Sequence, residues 1–500
     1  MPGTGNGWKQ IRLKANFKDD VNFVKSPYFE KGTKGSGVYN VLAYGADPTG
    51  STDSTAAIQL CIDTAKDGTV IIPGGLYLVS TLNIIRSTSI IGDGNTITPN
   101  YNATILKTIT GNTVFNISPT GGWSYGPIIK NLAVYGNNTP DQVCISINGE
   151  GPVIIDRVTI TEMGGYGIKC CTTGHTSGIT IKNCTINGNY GGIFGVGQPS
   201  RQFNVIKIQD NSFNSNQKNG IHISGVNINI KGNTFQGNIE GAILLSAFIL
   251  GDVAAGCYGV TICDNYFESN KGGMLICEGY HSLTNPAIYQ SHNCISFYNN
   301  HGTHNVGGVG YTDALIKFKL ADTSATDFYP FDYLYIKPSD IGTTVENVSV
   351  VDFGNLCNDK CRVELTGYPY QQGLTKPAFK GIGLTGSIPS FFGFYDAPSN
   401  WIASNLVVTY SQISLYDLHR WVKMNLVAPL ALTCNPQITT GIDGQLITII
   451  GNSDINTLTL SNGNGLKLSG GNAMILGKNS TITLRYSIED SIWYELSRSF

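Results

Sequence analysis

Short alternations of apolar and polar residues recur through the middle of the chain: Ile179-Thr-Ile181, Ile206-Lys-Ile208, Ile228-Asn-Ile230 and Val260-Thr-Ile262. A hexamer Asn-x-Phe-x-x-Asn follows the last three, at Asn211–Asn216, Asn233–Asn238 and Asn265–Asn270, and weaker matches stand at Cys184–Asn189 and Val158–Met163. After each, beyond a glycine, another apolar position or run begins, at Ile168, Ile193, Ile221-His-Ile223, Ile243 and Met274-Leu-Ile276. Alternation of β-branched residues with period two predicts strands with one face buried. Anchored on Ile160, Ile186, Phe213, Phe235 and Phe267, the repeat steps are 26, 27, 22 and 32 residues. A period in that range marks a solenoid, here of strands only.

Two or three strands per repeat, divided by Asn and Gly turns, predict an all-β fold, a right-handed parallel β-helix with coils stacked about 4.8 Å apart. The five anchors then pile up inside, and Asn211, Asn233 and Asn265 form a ladder at a turn, their amides bridging coils in place of backbone. Composition fits this picture. Charged residues are 13%, against a usual value of about 25%, so Asn, Ser, Thr and Gly supply the surface. A net charge of −2 points to neither nucleic acid nor an anionic membrane. No apolar stretch is long enough to span a bilayer. The opening residues lack the apolar core of a secretion signal. The twelve cysteines show no framework spacing, and Cys61, Cys144, Cys184, Cys263 and Cys294 fall at strand or core-like positions. They predict reduced thiols in a protein assembled in cytosol. Cys357-x-x-x-Cys361 is a weak metal motif without a second pair, and calcium loops, a P-loop and a zinc His-Glu-x-x-His are absent. No metal or cofactor is expected.

Ahead of the repeats, Ile58, Cys61, Ile62 and Ala65 fall on one face of a helix that Thr52 or Asp53 can cap. Such a helix would cover the open first coil. The stretch from Val41 through Tyr44-Gly-Ala-Asp47, Asp53-Ser-Thr-Ala-Ala-Ile58-Gln and Pro73-Gly-Gly-Leu-Tyr77 resembles the entry motif of the pectate-lyase-like β-helix superfamily. That resemblance extends over roughly residues 38–300. It implies the fold but no single reaction, because lyases, hydrolases, epimerases and phage tailspikes share it. The closing run Ser480-Thr-Ile-Thr-Leu-Arg485-Tyr, ending Trp493-Tyr494-Glu495, resembles the carboxyl-terminal β-region of bacteriophage tailspike depolymerases. The resemblance implies a homotrimer, attachment to a phage tail or baseplate through the amino terminus, a place in the virion after assembly in the host cytoplasm, and action on a bacterial capsular or exopolysaccharide. The expected division is a neck at 1–37, the β-helix at 38–340, further coils or an intermediate β-domain at 341–424, and a trimerising β-domain at 425–500.

Cleaving a glycosidic bond by hydrolysis needs two carboxyl groups, about 5 Å apart for retention or about 6.5–9.5 Å for inversion. Acids are scarce on the repeats. The column after the anchors reads Thr161, Asn187, Asn214, Gln236 and Glu268, so only the last coil is charged there. Glu240 precedes Gly241, Glu278 ends the following strand, and Asp252 sits in the large insertion Ala247–Tyr258. Glu240 and Glu268 are the expected acid/base pair, with Asp252 and Glu278 as substitutes. His222, Lys169, Tyr258 and His281 are expected to touch substrate. A lyase would instead need a base and cations to hold an enolate, a role open to His222, His281, His292, Lys169 and Lys207. The Asp-His pair and the Arg-x-Pro-x-x-Arg run of calcium pectate lyases are absent. So are the Asn-Thr-Asp, Asp-Asp and Gly-His-Gly motifs of polygalacturonases, which argues against plant pectin as substrate.

Overall fold

The computed structural model describes residues 37–96, 103–111, 113–118, 126–170, 176–196, 203–250, 253–281, 289–290, 292–304, 314–320 and 331–337. It also describes 341–343, 349–352, 354, 362–364, 379–380, 390–392, 408–409, 412–413, 421–424, 426, 428–441 and 443–500. The chain winds as a right-handed parallel β-helix, the hand that parallel crossovers favour. Each full coil places one strand in each of three parallel sheets. In the middle coils the first sheet takes Thr176–Lys182, Phe203–Gln209, Val226–Lys231, Tyr258–Cys263 and His292–Tyr298. The second takes the short strands Thr185–Asn187, Ser212–Asn214, Thr234–Gln236, Tyr266–Glu268 and His301–His304. The third takes Tyr166–Cys170, Gly191–Val196, Asn219–Ser224, Gly241–Ser246, Leu275–His281 and Ala314–Leu320. Parallel pairing continues as far as Ser390–Phe392.

Inside, one column of side chains runs in register from Tyr77 through Leu106, Val134, Ile160, Ile186, Phe213 and Phe235 to Phe267. All are fully buried. The rings of Phe213, Phe235 and Phe267 stack at 5.0 and 5.1 Å with 9° between planes, a spacing imposed by the coil repeat. The column stops at Gly302, whose missing Cβ would meet the Phe267 carbonyl oxygen at 2.5 Å. Phe297, from the neighbouring column, covers the last ring at 6.1 Å.

Asparagines lock two of the three corners. At the first, Asn211, Asn233, Asn265 and Asn300 form the expected ladder: each Oδ1 accepts from the backbone N–H and the Nδ2 of the rung before, at 2.9–3.0 Å. Each Nδ2 also donates to a carbonyl one coil back, Ile181, Ile208, Ile230 or Ile262. A second ladder of the same construction, Asn189, Asn216, Asn238 and Asn270, fills the second corner. The residue before each of these rungs has a left-handed backbone, from Gly188 at φ 65° to Ser269 at φ 52°. From each inner anchor to its ladder asparagine the chain cannot change length without breaking buried amide bonds. The third corner, where no such ladder is found among the described residues, absorbs nearly all the variation; the second differs only from Ile186 to Ile193, seven residues against eight in the other coils. From third-sheet Ile168, Ile193, Ile221, Ile243 and Leu275 to the next inward first-sheet residue takes 11, 13, 7, 17 and 20 residues. The short 22-residue repeat arises because this corner shrinks to Gly225, where a Cβ would lie 2.0 Å from the Phe203 carbonyl oxygen. The long repeat arises from an inserted antiparallel hairpin, Phe248–Leu250 with Val253–Ala255.

At the amino end, α1 (Thr55–Ala65) buries Ile58, Cys61, Ile62 and Ala65 over the first coils. Its N-cap position is Ser54, not Thr52 or Asp53. Asp53 stands one residue earlier and accepts from the Thr55 N–H, while the Ser54 hydroxyl accepts from the Asp47 N–H. Asp47 in turn accepts from Thr49, Ser51 and Thr52, and the Thr49 hydroxyl bond chiefly holds its carboxyl well below the usual range. At the carboxyl end a separate core gathers Ile413, Met424, Ile447, Ile449, Ile482, Leu484 and Trp493. It lies with a five-stranded and a three-stranded sheet, and the Trp493 indole donates to the Thr439 carbonyl. Cys61, Cys144, Cys184 and Cys263 are buried as expected, whereas Cys294 is exposed. Buried Ile295 and Phe297 set the inward positions of its strand, so Cys294, next to Ile295, falls on the outer face. Cys357 and Cys361 lie outside the described residues.

His292 is fully buried. Its Nδ1 accepts from the Cys257 N–H at 3.2 Å, its Nε2 donates to the Glu278 carbonyl at 2.8 Å, and its ring stacks on Phe331. Burial pushes this imidazole down to about 4, so it is neutral in the fold. Between about pH 4 and the ordinary histidine value of about 6.5 the unfolded chain binds the extra proton and the folded chain does not. Stability from this group is complete above that window and is lost as pH falls through it. The thermal transition is therefore expected to drop between pH 7 and pH 4.5 and to drop less in His292→Gln; a wild-type transition unchanged across that range would contradict neutral burial. For the ladders, Asn233→Leu orphans groups on Asn211, Ile208 and Asn265, at about 1–3 kcal/mol for each buried polar group. Chemical unfolding is expected to show a loss of at least about 3 kcal/mol in total, against about 0.5 kcal/mol or less for the adjacent, outward Thr234→Val. Equal losses in the two variants would remove the ladder from its structural role.

Candidate functional site on the third sheet

In the third sheet, isoleucines at 168, 193, 221 and 243 point inward, so the residues after them line up outside. Lys169, Phe194, His222 and Leu244 are successive register partners on that outer face. Two residues further along each strand a second column reads Val196, Ser224, Ser246, Glu278 and Lys319. Aromatic rings gather on the first column. Tyr166 lies against Phe194 at 4.8 Å and against Tyr190 edge-on at 5.7 Å. Phe194 meets the His222 ring edge-on at 5.0 Å. The Tyr166 ring is accommodated because its register partner is Gly191, where a Cβ would lie 2.3 Å from a ring carbon. Two lysines sit over this ledge, Lys169 at 5.9 Å from the Phe194 centroid and Lys218 at 5.6 Å from that of Tyr190.

The electrostatics follow from partial burial. His222 is half-buried, and burial pushes its imidazole down to about 4; its Nε2 is 2.9 Å from the Ser246 hydroxyl. Burial first, then the charges of Tyr190 and Glu240, pushes the Tyr166 phenol up to about 12. Lys218 is ion-paired with Glu240, and that hydrogen bond raises its ammonium above the usual lysine range. A neutral imidazole can accept a proton, and a lysine-held carboxylate beside stacking rings can face a sugar oxygen.

The expected site residues fall on different faces. Lys169 and His222 share one outward column. Glu240 stands at the start of the Gly241–Ser246 strand, within reach of Tyr166 through its field. Glu278 stands at the far end of that sheet, paired with Lys319 at 3.5 Å. Six residues of strand separate Glu240 from the Ser246–Glu278 rung, roughly 20 Å at about 3.3 Å per residue. That distance exceeds the glycosidase window, so these two do not act as one pair. Glu268 ends a second-sheet strand, where the Tyr266 hydroxyl donates to it at 3.2 Å. It and Glu240 flank the second corner, with the Asn238–Asn270 rungs between them. Tyr258 is exposed on the first sheet, in register with Val226 and Asn293. His281 ends the Leu275–His281 strand, its backbone paired with Tyr289. Asp252 lies outside the described residues. Among the described residues no three His, Cys, Asp or Glu side chains are grouped to hold a metal, and no helix is long and apolar enough to cross a membrane.

Sequence pattern alone passed over Tyr166, Tyr190, Phe194, Lys218 and Ser246. Phe194 and Ser246 were accessible by counting one and three residues beyond Ile193 and Ile243. Tyr190 and Lys218 occupy the second corner, where no alternation marks a face.

Residues 38–247 match the family model described as rhamnogalacturonase A/epimerase, pectate lyase-like. Two mannuronan C5-epimerases of Azotobacter vinelandii are each 32% identical to 30% of this chain. AlgE1 aligns over 177 residues, 12% of its own length, and AlgE2 over 179 residues, 17% of its own length. The chain thus spans less than a fifth of these relatives. Among solved structures, the A-module of mannuronan C-5 epimerase AlgE4 from A. vinelandii is 17% identical, with a TM-score of 0.49 over 71% of this chain and all of that one. The Dettilon tailspike protein is 15% identical, with a TM-score of 0.38 over 68% and 69% of the two chains. The match to the family model ends at Ala247, just before the inserted hairpin.

Proposed function

We propose that this chain is a phage tailspike depolymerase that binds a bacterial capsular or exopolysaccharide on the outer face of the third sheet and cleaves it by hydrolysis. The observation that carries the proposal is the lysine-held carboxylate Glu240 at the edge of a ledge of three aromatic rings. Pyranose rings stack on such ledges by their apolar faces, and a carboxylate beside them can take a proton from the attacking water while a second carboxyl group gives one to the leaving oxygen. Glu268, across the second corner, is the proposed second carboxylate. The tailspike part of the proposal rests on the closing Ser480–Glu495 run. A homotrimer is supported by the exposed large apolar side chains Leu446, Ile475, Leu496 and Phe500 of the carboxyl-terminal domain, which association would take out of water.

A second reading is β-elimination, favoured by His222. A neutral imidazole on the same column as Lys169 is a base beside a cation, as removal of a proton next to a uronate carboxylate requires.

Purified capsular polysaccharides incubated with the protein are expected to gain reducing ends without the ultraviolet absorbance of an unsaturated uronate. Both signals together would assign elimination, and neither would leave a binding fibre. Glu240→Gln is expected to lower cleavage by at least about 100-fold while glycan binding persists; full turnover in that variant would overturn the assignment of Glu240.

A further inference from the structure

The strand that carries His222 has an unsatisfied polar atom at each end. The Asn219 amide nitrogen and the Ser224 hydroxyl are buried without a hydrogen-bond partner. Buried polar groups are nearly always paired, so orphans call for an explanation. Asn219 lies over Gly241, its register partner, much as Tyr166 lies over Gly191. Ser224 belongs to the outward column with Ser246 and Glu278. Both orphans therefore border the aromatic ledge, where a hydroxyl-rich ligand is the natural partner.

Charge narrows the ligand further. Lys218 is taken up by Glu240 and Lys319 by Glu278. Lys169, half-buried with its ammonium over Phe194, has no carboxylate partner among the described residues. An unmatched cation poised over an aromatic face presents a stacking surface and a counter-charge to the same sugar. A ring seated on Phe194 would bring an anionic substituent to Lys169 and its hydroxyls toward His222 and Ser224, while Asn219, about 10 Å back along the strand, would meet the neighbouring sugar.

We propose that Lys169, Phe194, His222 and Ser224 form a subsite for a sugar residue bearing a carboxylate, with Asn219 facing the adjoining sugar, so that the substrate is an acidic heteropolysaccharide. The subsite rests on the proposed glycan-binding function and specifies what that surface selects. The carboxylate can belong to a hexuronate or to a pyruvyl ketal on a neutral hexose.

The test measures binding of the full chain to a hexuronate-containing capsular polysaccharide, to a pyruvylated one, and to both after carboxyl reduction. Wild type is expected to prefer an acidic glycan over its reduced form by about tenfold, the weight of one charge-assisted contact. Mild acid, which removes only the ketal, identifies the source of the carboxylate. Lys169→Gln is expected to abolish the preference by lowering affinity for the acidic glycan to that for the reduced one, with the thermal transition unchanged. Phe194→Ala is expected to weaken both forms alike. Equal wild-type affinity for acidic and reduced glycans, or a preference that survives in Lys169→Gln, would overturn the subsite. Cleavage of a glycan with no such preference would leave the depolymerase standing and remove only the subsite. Failure to bind any glycan would remove both.

Discussion

Register between coils is the constraint on which the rest depends, and the buried asparagine amides enforce it. A parallel sheet alone tolerates slippage, because its backbone bonds are equivalent from rung to rung. Each ladder amide removes that freedom by bonding to one named carbonyl on the coil before and one named amide on the coil after. The Phe213, Phe235 and Phe267 rings then stack because the register leaves them no other place, not because stacking selects it. The first corner held in this way keeps a constant length of chain, and the second varies by a single residue, between Ile186 and Ile193. The third corner takes up the rest, and the inserted hairpin and the one-residue turn at Gly225 both lie there. Variation in loop length is therefore concentrated beside the third sheet, the face that carries the rings and lysines.

That face is a consequence of alternation as much as of insertion. Once the isoleucines of the third sheet are committed inward, Lys169, Phe194 and His222 must stand outside and one above another. A rigid scaffold thus converts a sequence separation of more than 20 residues into contact between side chains. The energetic character of the face is mixed. Aromatic and aliphatic side chains are half-buried, lysines are paired or poised over rings, and His222 is held neutral by its surroundings. Such a surface is poorly suited to a charged polymer held by electrostatics alone, and well suited to a polymer that offers apolar ring faces and hydroxyls together.

Much of the fold was legible in the chain because solenoids repeat their physics. Phe213, Phe235 and Phe267 announced the inner column, and the first asparagine of each hexamer announced a ladder. The second ladder, from Asn189 to Asn270, was written in the same hexamers but needs three dimensions to be seen as a separate corner. The cap on α1 was misplaced by one or two residues, since Asp53 and Ser54 compete for the same bonds and the Asp47 loop decides between them. Cys294 is exposed because the alternation set by buried Ile295 and Phe297 places it on the outer face. The site was harder to read than the fold. Acidic residues stand out in a weakly charged chain, so they drew attention, whereas the ledge is built from residues unremarkable one by one. Tyr166 opens a third-sheet strand and Tyr190 sits in a glycine-rich turn, and nothing in local pattern says that Tyr166 would bridge Tyr190 and Phe194.

A crystal structure of the Glu240→Gln protein with a bound oligosaccharide from a glycan that it recognises would test the central claim most directly. Sugar rings lying on Tyr166, Tyr190 and Phe194 are the predicted result. A chain seated instead on the first-sheet face, against Tyr298 and Tyr335, with the third-sheet ledge bare, would contradict the account.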